Sequence, residues 1–124
     1  SFDASLQSLS NYNNIYWIVG GLPKHQDYFY LKNVKKKIVK AYVIGKNTSF
    51  FQKQIRNDIP YIISKNIRNA INNIYKDLEL NENSKKTILL SPAAASYDQF
   101  NNFEDRGGYF KNLIIKKFKR RLNA

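Results

Sequence analysis

Thr87-Ile-Leu-Leu-Ser-Pro-Ala-Ala-Ala-Ser-Tyr-Asp-Gln-Phe-Asn-Asn-Phe-Glu-Asp-Arg-Gly-Gly-Tyr-Phe110 is the stretch around which the chain is organised. It opens on a short apolar run, Thr87–Leu90, with Lys85 and Lys86 before it and Ser91-Pro92 after. A short apolar run bounded by charge and a turn signal reads as a buried strand. Small residues follow, Ser91-Pro92-Ala93-Ala94-Ala95-Ser96, and small side chains let a ligand or another backbone come close. The spacing then predicts a helix start. Asn102 is a candidate N-cap, and Glu104 and Asp105 fall in the first turn, where the helix dipole favours negative charge. Phe103, Phe110, Leu113 and Ile114 continue at helical spacing to about Phe118. Strand, small-residue loop and helix N-terminus together present free backbone N–H groups to an anion.

Working outward, the same alternation repeats. A first helix is expected over Asp3–Tyr12, then a buried strand Ile15–Val19 closed by Gly20-Gly21, then a loop Leu22–Gln26. Asp27 is a candidate cap for a short helix to about Lys35, with Phe29 or Tyr30 and Val34 turned inward. A second strand, Ile38–Ile44, ends at Gly45, and Asn47–Asn57 reads as a helix on Phe50, Phe51 and Ile55. Pro60–Ile63 is a short strand. Asn66–Leu80 is the most regular helix, with Ile67, Ala70, Ile71, Ile74 and Leu78 at three- and four-residue intervals. Helix followed by four strand–helix units predicts an α/β fold, a mostly parallel sheet with helices on both faces. In such sheets ligands lie outside the carboxyl ends of strands, where strand order reverses. The two distinctive stretches, after Gly21 and after Leu90, both fall at strand ends.

Composition narrows the chemistry. A chain of 124 residues with 43% apolar side chains fits one domain with a real core. No run approaches the ~18 apolar residues of a membrane span, no signal peptide is visible at Ser1–Asn14, and a cytoplasmic protein is expected. With no cysteine, disulfides, thiolate metal sites and cysteine nucleophiles are excluded. One histidine, His25, makes a protein-built metal site a poor expectation, and His25 reads as a solvated loop residue. The net charge of +12 suggests a binder of nucleic acid or another polyanion without catalysis. Against that, lysine outnumbers arginine 16 to 5, and asparagine and isoleucine are abundant, as compositional drift would produce. Arginine, the better residue for phosphates, is scarce. Nucleic acid is therefore not the favoured partner, although a positive field also suits anionic small substrates. Tyr12, Tyr16, Trp17, Tyr28 and Tyr30 resemble a base-stacking set on paper, but packing between helices and sheet explains them better. Lys24 follows Gly20-Gly21 as a cation at a strand end, with neither a dinucleotide fingerprint nor a phosphate loop around it. Ser96 lacks the Gly-x-Ser-x-Gly elbow of a nucleophile. Gly107-Gly108, inside the last helix, each cost about 1 kcal/mol against alanine, which predicts close packing there.

The same residues carry a family resemblance. Leu89, Leu90, Ser91, Pro92, Ala93, Ala95, Ser96, Asp98, Gln99, Phe100, Asn102, Phe103, Glu104, Arg106 and Gly107 match the C-terminal signature of the Mur ligases, in the branch that adds D-glutamate. Ile15–Lys24 resembles the same family's apolar strand, Gly-Gly and following lysine, and Asp3-Ala4 looks like the trailing edge of a segment preceding it. The resemblance implies a Rossmann-like C-terminal domain over residues 1–124, with a UDP-binding domain and a central ATP-binding domain outside this chain. It implies ATP-dependent amide-bond formation between UDP-N-acetylmuramoyl-L-alanine and D-glutamate in peptidoglycan precursor synthesis, with ATP and Mg²⁺ held mainly by those other domains. It assigns D-glutamate to Lys24, to the Ser96 hydroxyl with Tyr97 beside it, and to the backbone N–H of Phe103, with no acid–base catalyst in this domain. Arg106 and Glu104 are expected to be structural. On this reading the chain alone folds but does not turn over.

Overall fold

The computed structural model describes residues 2–23, 28–78, 85–90 and 103–122, and side chains in the last of these from 108 to 119. Four parallel strands, β1 (Ile15–Gly20), β2 (Ile38–Ile44), β3 (Tyr61–Lys65) and β4 (Thr87–Leu90), form one sheet in the order β3-β2-β1-β4. Four helices, α1 (Phe2–Ser10), α2 (Thr48–Ile55), α3 (Ile67–Asp77) and α4 (Phe103–Leu122), cover it. The expected α/β class, with its parallel sheet between two helical layers, is what the chain adopts.

β1 is buried at every position because it lies between β2 and β4 and carries a helix layer on each face. Alternate side chains therefore feed two cores. Trp17 and Val19, with Ala41 and Val43 of β2, meet Phe2 and Leu9 of α1 and Phe51 and Ile55 of α2. Tyr16 and Ile18, with Tyr42 and Ile44, meet Ile67, Ala70, Ile71 and Ile74 of α3 and Leu113 and Phe118 of α4. The period of two along a doubly covered strand is why its sequence reads as an unbroken apolar run. Burying a side chain of this size is worth roughly 1.5–3 kcal/mol, so these two layers supply most of the drive to fold.

Local chemistry sets the ends. Asn66 caps α3, its Oδ1 accepting from the Asn69 N–H at 2.8 Å. Asn14, in the left-handed region at φ 51°, clips the amino ends of β1 and β4 together. Its Nδ2 donates to the Lys85 carbonyl at 3.0 Å, and its own carbonyl accepts from the Thr87 N–H at 3.2 Å.

Three expectations need correction. The short helix from Asp27 to Lys35 does not form over the described residues. Tyr28–Leu31 is irregular chain, and only a 3₁₀ turn, Lys35–Lys37, precedes β2. Phe29, Leu31 and Val34 point inward while Tyr30 is exposed. The Phe29 N–H donates to Oε1 of Gln54 in α2 at 3.2 Å, a bond across the fold rather than along a helix. Second, Tyr16 and Trp17 are core residues, but Tyr12, Tyr28 and Tyr30 are exposed by 46%, 59% and 62%. Third, Gly108 is exposed, and a Cβ on it would meet nothing within 4 Å, so its place in α4 does not come from close packing.

Candidate functional site

Strand order reverses between β1 and β4. The chain passes from β1 to β2 to β3 on one side and returns to place β4 on the other. In an open parallel sheet that reversal leaves a crevice outside the carboxyl ends of the two strands. Pairing of Ile18 with Leu90 sets those ends side by side. The segments leaving them, one through Gly21 and one through Ser91, are the two that the sequence marks.

The β1 exit is tightly built. Gly20 lies against Ile44 of β2, so closely that a Cβ would fall on the Ile44 carbonyl. Gly21 follows with φ 114°, a conformation that L side chains rarely adopt. Its carbonyl accepts a hydrogen bond from Asn47 Nδ2 at 3.0 Å. Asn47 precedes α2, but its side chain makes no capping bond there. Asn47 instead ties α2 to the turn beyond β1. No spacing rule pointed to that role, since it depends on how β1 and β2 align.

α4 begins at Phe103, as the sequence predicted. The first N–H groups of a helix lack intrahelical acceptors, and the dipole adds positive potential there. α4 and α3 share one face of the sheet. Of the residues expected to hold D-glutamate, Phe103 is placed by its backbone as the first residue of α4, whereas Lys24, Ser96 and Tyr97 lie outside the described residues. So do His25 and the Asn102 cap, and the side chains of Glu104, Asp105 and Arg106. Among the described residues no group of histidine, aspartate or glutamate could hold a metal ion.

Titratable chemistry on the described surface centres elsewhere. Asp77, at the end of α3, accepts from Lys40 Nζ at 2.8 Å and from the Tyr42 hydroxyl at 2.9 Å. Partial burial pushes its carboxyl up, but the bonds from Lys40 and Tyr42 outweigh this and hold it below the usual carboxylate range. Burial, followed by the bond to Asp77, pushes the Tyr42 phenol far above its ordinary value. α3 runs back from the carboxyl edge, so this trio sits at the opposite edge. It latches α3 to β2.

No protein-family model matches the chain. Curated relatives do. The UDP-N-acetylmuramoylalanine–D-glutamate ligase of Rickettsia prowazekii (strain Madrid E) is 41% identical over 110 residues, 89% of this chain. The ligases of the same name from Rhizobium johnstonii and Rhizobium etli are each 41% identical, over 87% and 90% of this chain. The chain is homologous to these ligases. It spans about a quarter of their length, 23–25% in these three. The family resemblance carried by the Leu89–Gly107 stretch is thus borne out. No described helix is long and apolar enough to cross a membrane.

Proposed function

We propose that this chain is the C-terminal, amino-acid-positioning part of an ATP-dependent ligase that joins D-glutamate to UDP-N-acetylmuramoyl-L-alanine in peptidoglycan precursor synthesis. The observation that carries the reading is the strand reversal between β1 and β4. It brings together the exits leading to Lys24 and to Ser96, at the edge where such folds receive ligands. Lys24 is three residues past Gly21 and therefore within about 11 Å of it along the chain.

The chemistry assigned to this chain is a clamp. Lys24 supplies a cation, Ser96 a hydroxyl donor, and Phe103 a backbone N–H at a helix N-terminus, with Tyr97 lining the site. Two carboxylates held this way leave the amine of D-glutamate free to attack. A carboxylate at the start of α4 gains about 1–3 kcal/mol from a charge-assisted bond and the dipole. ATP with Mg²⁺, bound mainly by the other domains, would supply the activated acyl group. This chain's contribution is proximity and charge complementarity rather than proton transfer, and closure of domains would complete the site.

The test is phosphate release from ATP by the protein extended to its natural start, with UDP-N-acetylmuramoyl-L-alanine and D-glutamate. Release should depend on D-glutamate and fall by orders of magnitude in Lys24→Ala and in Ser96→Ala. Release that persists in both variants sinks the clamp, and none with any amino acid sinks the ligase reading.

A further inference from the structure

The α3–α4 layer contains a groove that none of the assigned residues uses. Its cavity is about 300 Å³, lined by Arg68, Ile71 and Asn72 of α3 and by Leu113, Lys116 and Lys117 of α4. Each helix contributes positions i, i+3 and i+4, the spacing that puts three side chains on one face. The two helices are pinned together at one end by Tyr75 against Phe118, ring centroids 5.5 Å apart. Toward the start of α3 the facing residues leave the cavity. Its floor is apolar, with Ile71 and Leu113 buried beneath it. Its walls are donors, with Arg68, Lys116 and Lys117 exposed and the Asn72 amide half-buried. Lys117 holds its ammonium 4.7 Å from the Tyr75 ring, a cation–π contact that fixes the charge beside the groove.

Among the described residues no carboxylate lines this cavity. Three cations with no described counter-ion in the lining repel one another, and compositional drift does not account for Arg68, since drift toward lysine depletes arginine. The donor set fits a ligand that only accepts. A planar guanidinium fork matches a tetrahedral oxyanion, and three positive charges balance a dianion better than a single carboxylate. The volume exceeds what one bare oxyanion fills and lies at the lower end for small-molecule sites, while the Ile71–Leu113 floor suits an apolar body. A nucleic-acid strand needs an open track, whereas this cavity is bounded by two helices.

We propose that the α3–α4 groove binds a small phosphate monoester, its phosphate on Arg68, Lys116 and Asn72 and its apolar body on Ile71 and Leu113. Phenyl phosphate is the probe, titrated into the ¹⁵N-labelled 124-residue chain at about 0.15 M salt, where diffuse surface attraction is screened. Saturable shifts should localise to residues 68–72 and 113–117, with a dissociation constant on the order of 1 mM or tighter. Inorganic phosphate should bind more weakly at the same residues, and benzyl alcohol should not bind. The double variant Arg68→Gln/Lys116→Gln should weaken phenyl phosphate at least tenfold while the remaining amide spectrum is unchanged. A Lys35→Gln/Lys36→Gln control, exposed lysines outside the groove, should bind as the parent does. Non-saturating shifts across all lysines, or equal affinity in the parent and groove variant, overturn the proposal. A single-stranded oligonucleotide that displaces phenyl phosphate from the groove at lower concentration also overturns it in favour of a polymer.

Discussion

Replacing Gly20 by alanine would plant a methyl group against the backbone of the neighbouring strand. Gly20 closes β1 and pairs with Ile44 of β2. An alanine Cβ would overlap the Ile44 carbonyl oxygen, with the carbonyl carbon 2.8 Å away and Cγ1 at 2.9 Å. Two of these atoms are backbone in a central strand, so no side-chain rotation relieves them. Either β1 and β2 separate at their carboxyl ends or the ladder shifts. Overpacking costs about 1–3 kcal/mol where side chains can adjust, so a backbone obstacle places this substitution at the upper end, ~3 kcal/mol. That is a large share of the roughly 5–15 kcal/mol of a typical domain. With a urea dependence of about 2 kcal/mol per M, the unfolding midpoint should fall by roughly 1.5 M. The matched control is Gly108→Ala, where a methyl meets open space on a helix. It should stabilise by up to about 1 kcal/mol through helix propensity and a less flexible unfolded chain. Urea unfolding of both variants, followed by far-UV circular dichroism, decides the matter. If Gly20→Ala stays within about 0.5 kcal/mol of the parent, the close approach of β1 to Ile44 is not what keeps the position glycine.

Other substitutions test separate links. Asn47→Ala removes the bond to the Gly21 carbonyl and should cost about 1 kcal/mol, read as a lower urea midpoint, with faster hydrogen exchange in the β1 exit. Asn66→Ala removes the α3 cap and should cost about 1 kcal/mol, with α3 amides losing protection first. Phe51→Ala, at a fully buried position in the core between α1, α2 and one face of the sheet, should cost about 3–5 kcal/mol by thermal or urea unfolding. The Asp77 latch predicts a pH effect. A carboxyl whose folded pKa is depressed stabilises the fold above its unfolded value, near 3.9, and loses that contribution as pH falls through the folded value. Asp77→Asn should therefore be weaker than the parent at neutral pH by about 0.5–1 kcal/mol, the range for a solvent-screened pair. In unfolding curves the difference should begin to shrink as pH falls below about 4 and vanish only once pH is below the depressed folded value.

The sheet was legible because its strands are short apolar runs punctuated by glycine, charge or proline, and because period-2 alternation disappears when both faces are covered. α3 was legible because Ile67, Ala70, Ile71 and Ile74 are all buried along one stripe. The chain between β1 and β2 was misread for a physical reason. Phe29 and Val34 are five apart, a poor helical pair, whereas Tyr28-Phe29-Tyr30-Leu31 alternates out, in, out, in. That alternation marks extended chain, and it would have predicted both the buried Phe29 and Leu31 and the exposed Tyr28 and Tyr30. Phe29 stacks on Phe2 with centroids 4.5 Å apart, so the segment takes the place on the sheet that a helix would have filled.

The candidate site was legible only as far as topology goes. Sequence placed Gly20-Gly21 and Ser91 at strand ends, and the strand order then made those ends neighbours. What spacing could not supply was support that crosses the fold. Asn47 reaches Gly21 over 26 positions, Gln54 reaches Phe29 over 25, and Asn14 reaches Lys85 over 71. Each is an amide side chain bonded to backbone across elements that local pattern treats as independent. Asparagine is abundant in this chain, and abundance hid which copies act as braces. An asparagine-for-lysine or asparagine-for-serine drift on exposed positions costs little, but Asn14 and Asn47 brace the two ends of β1, and Gln54 holds the Phe29 N–H in the chain beyond it. The physical distinction lies in the carbonyl or N–H that each would orphan, and that pairing exists only once the sheet has formed.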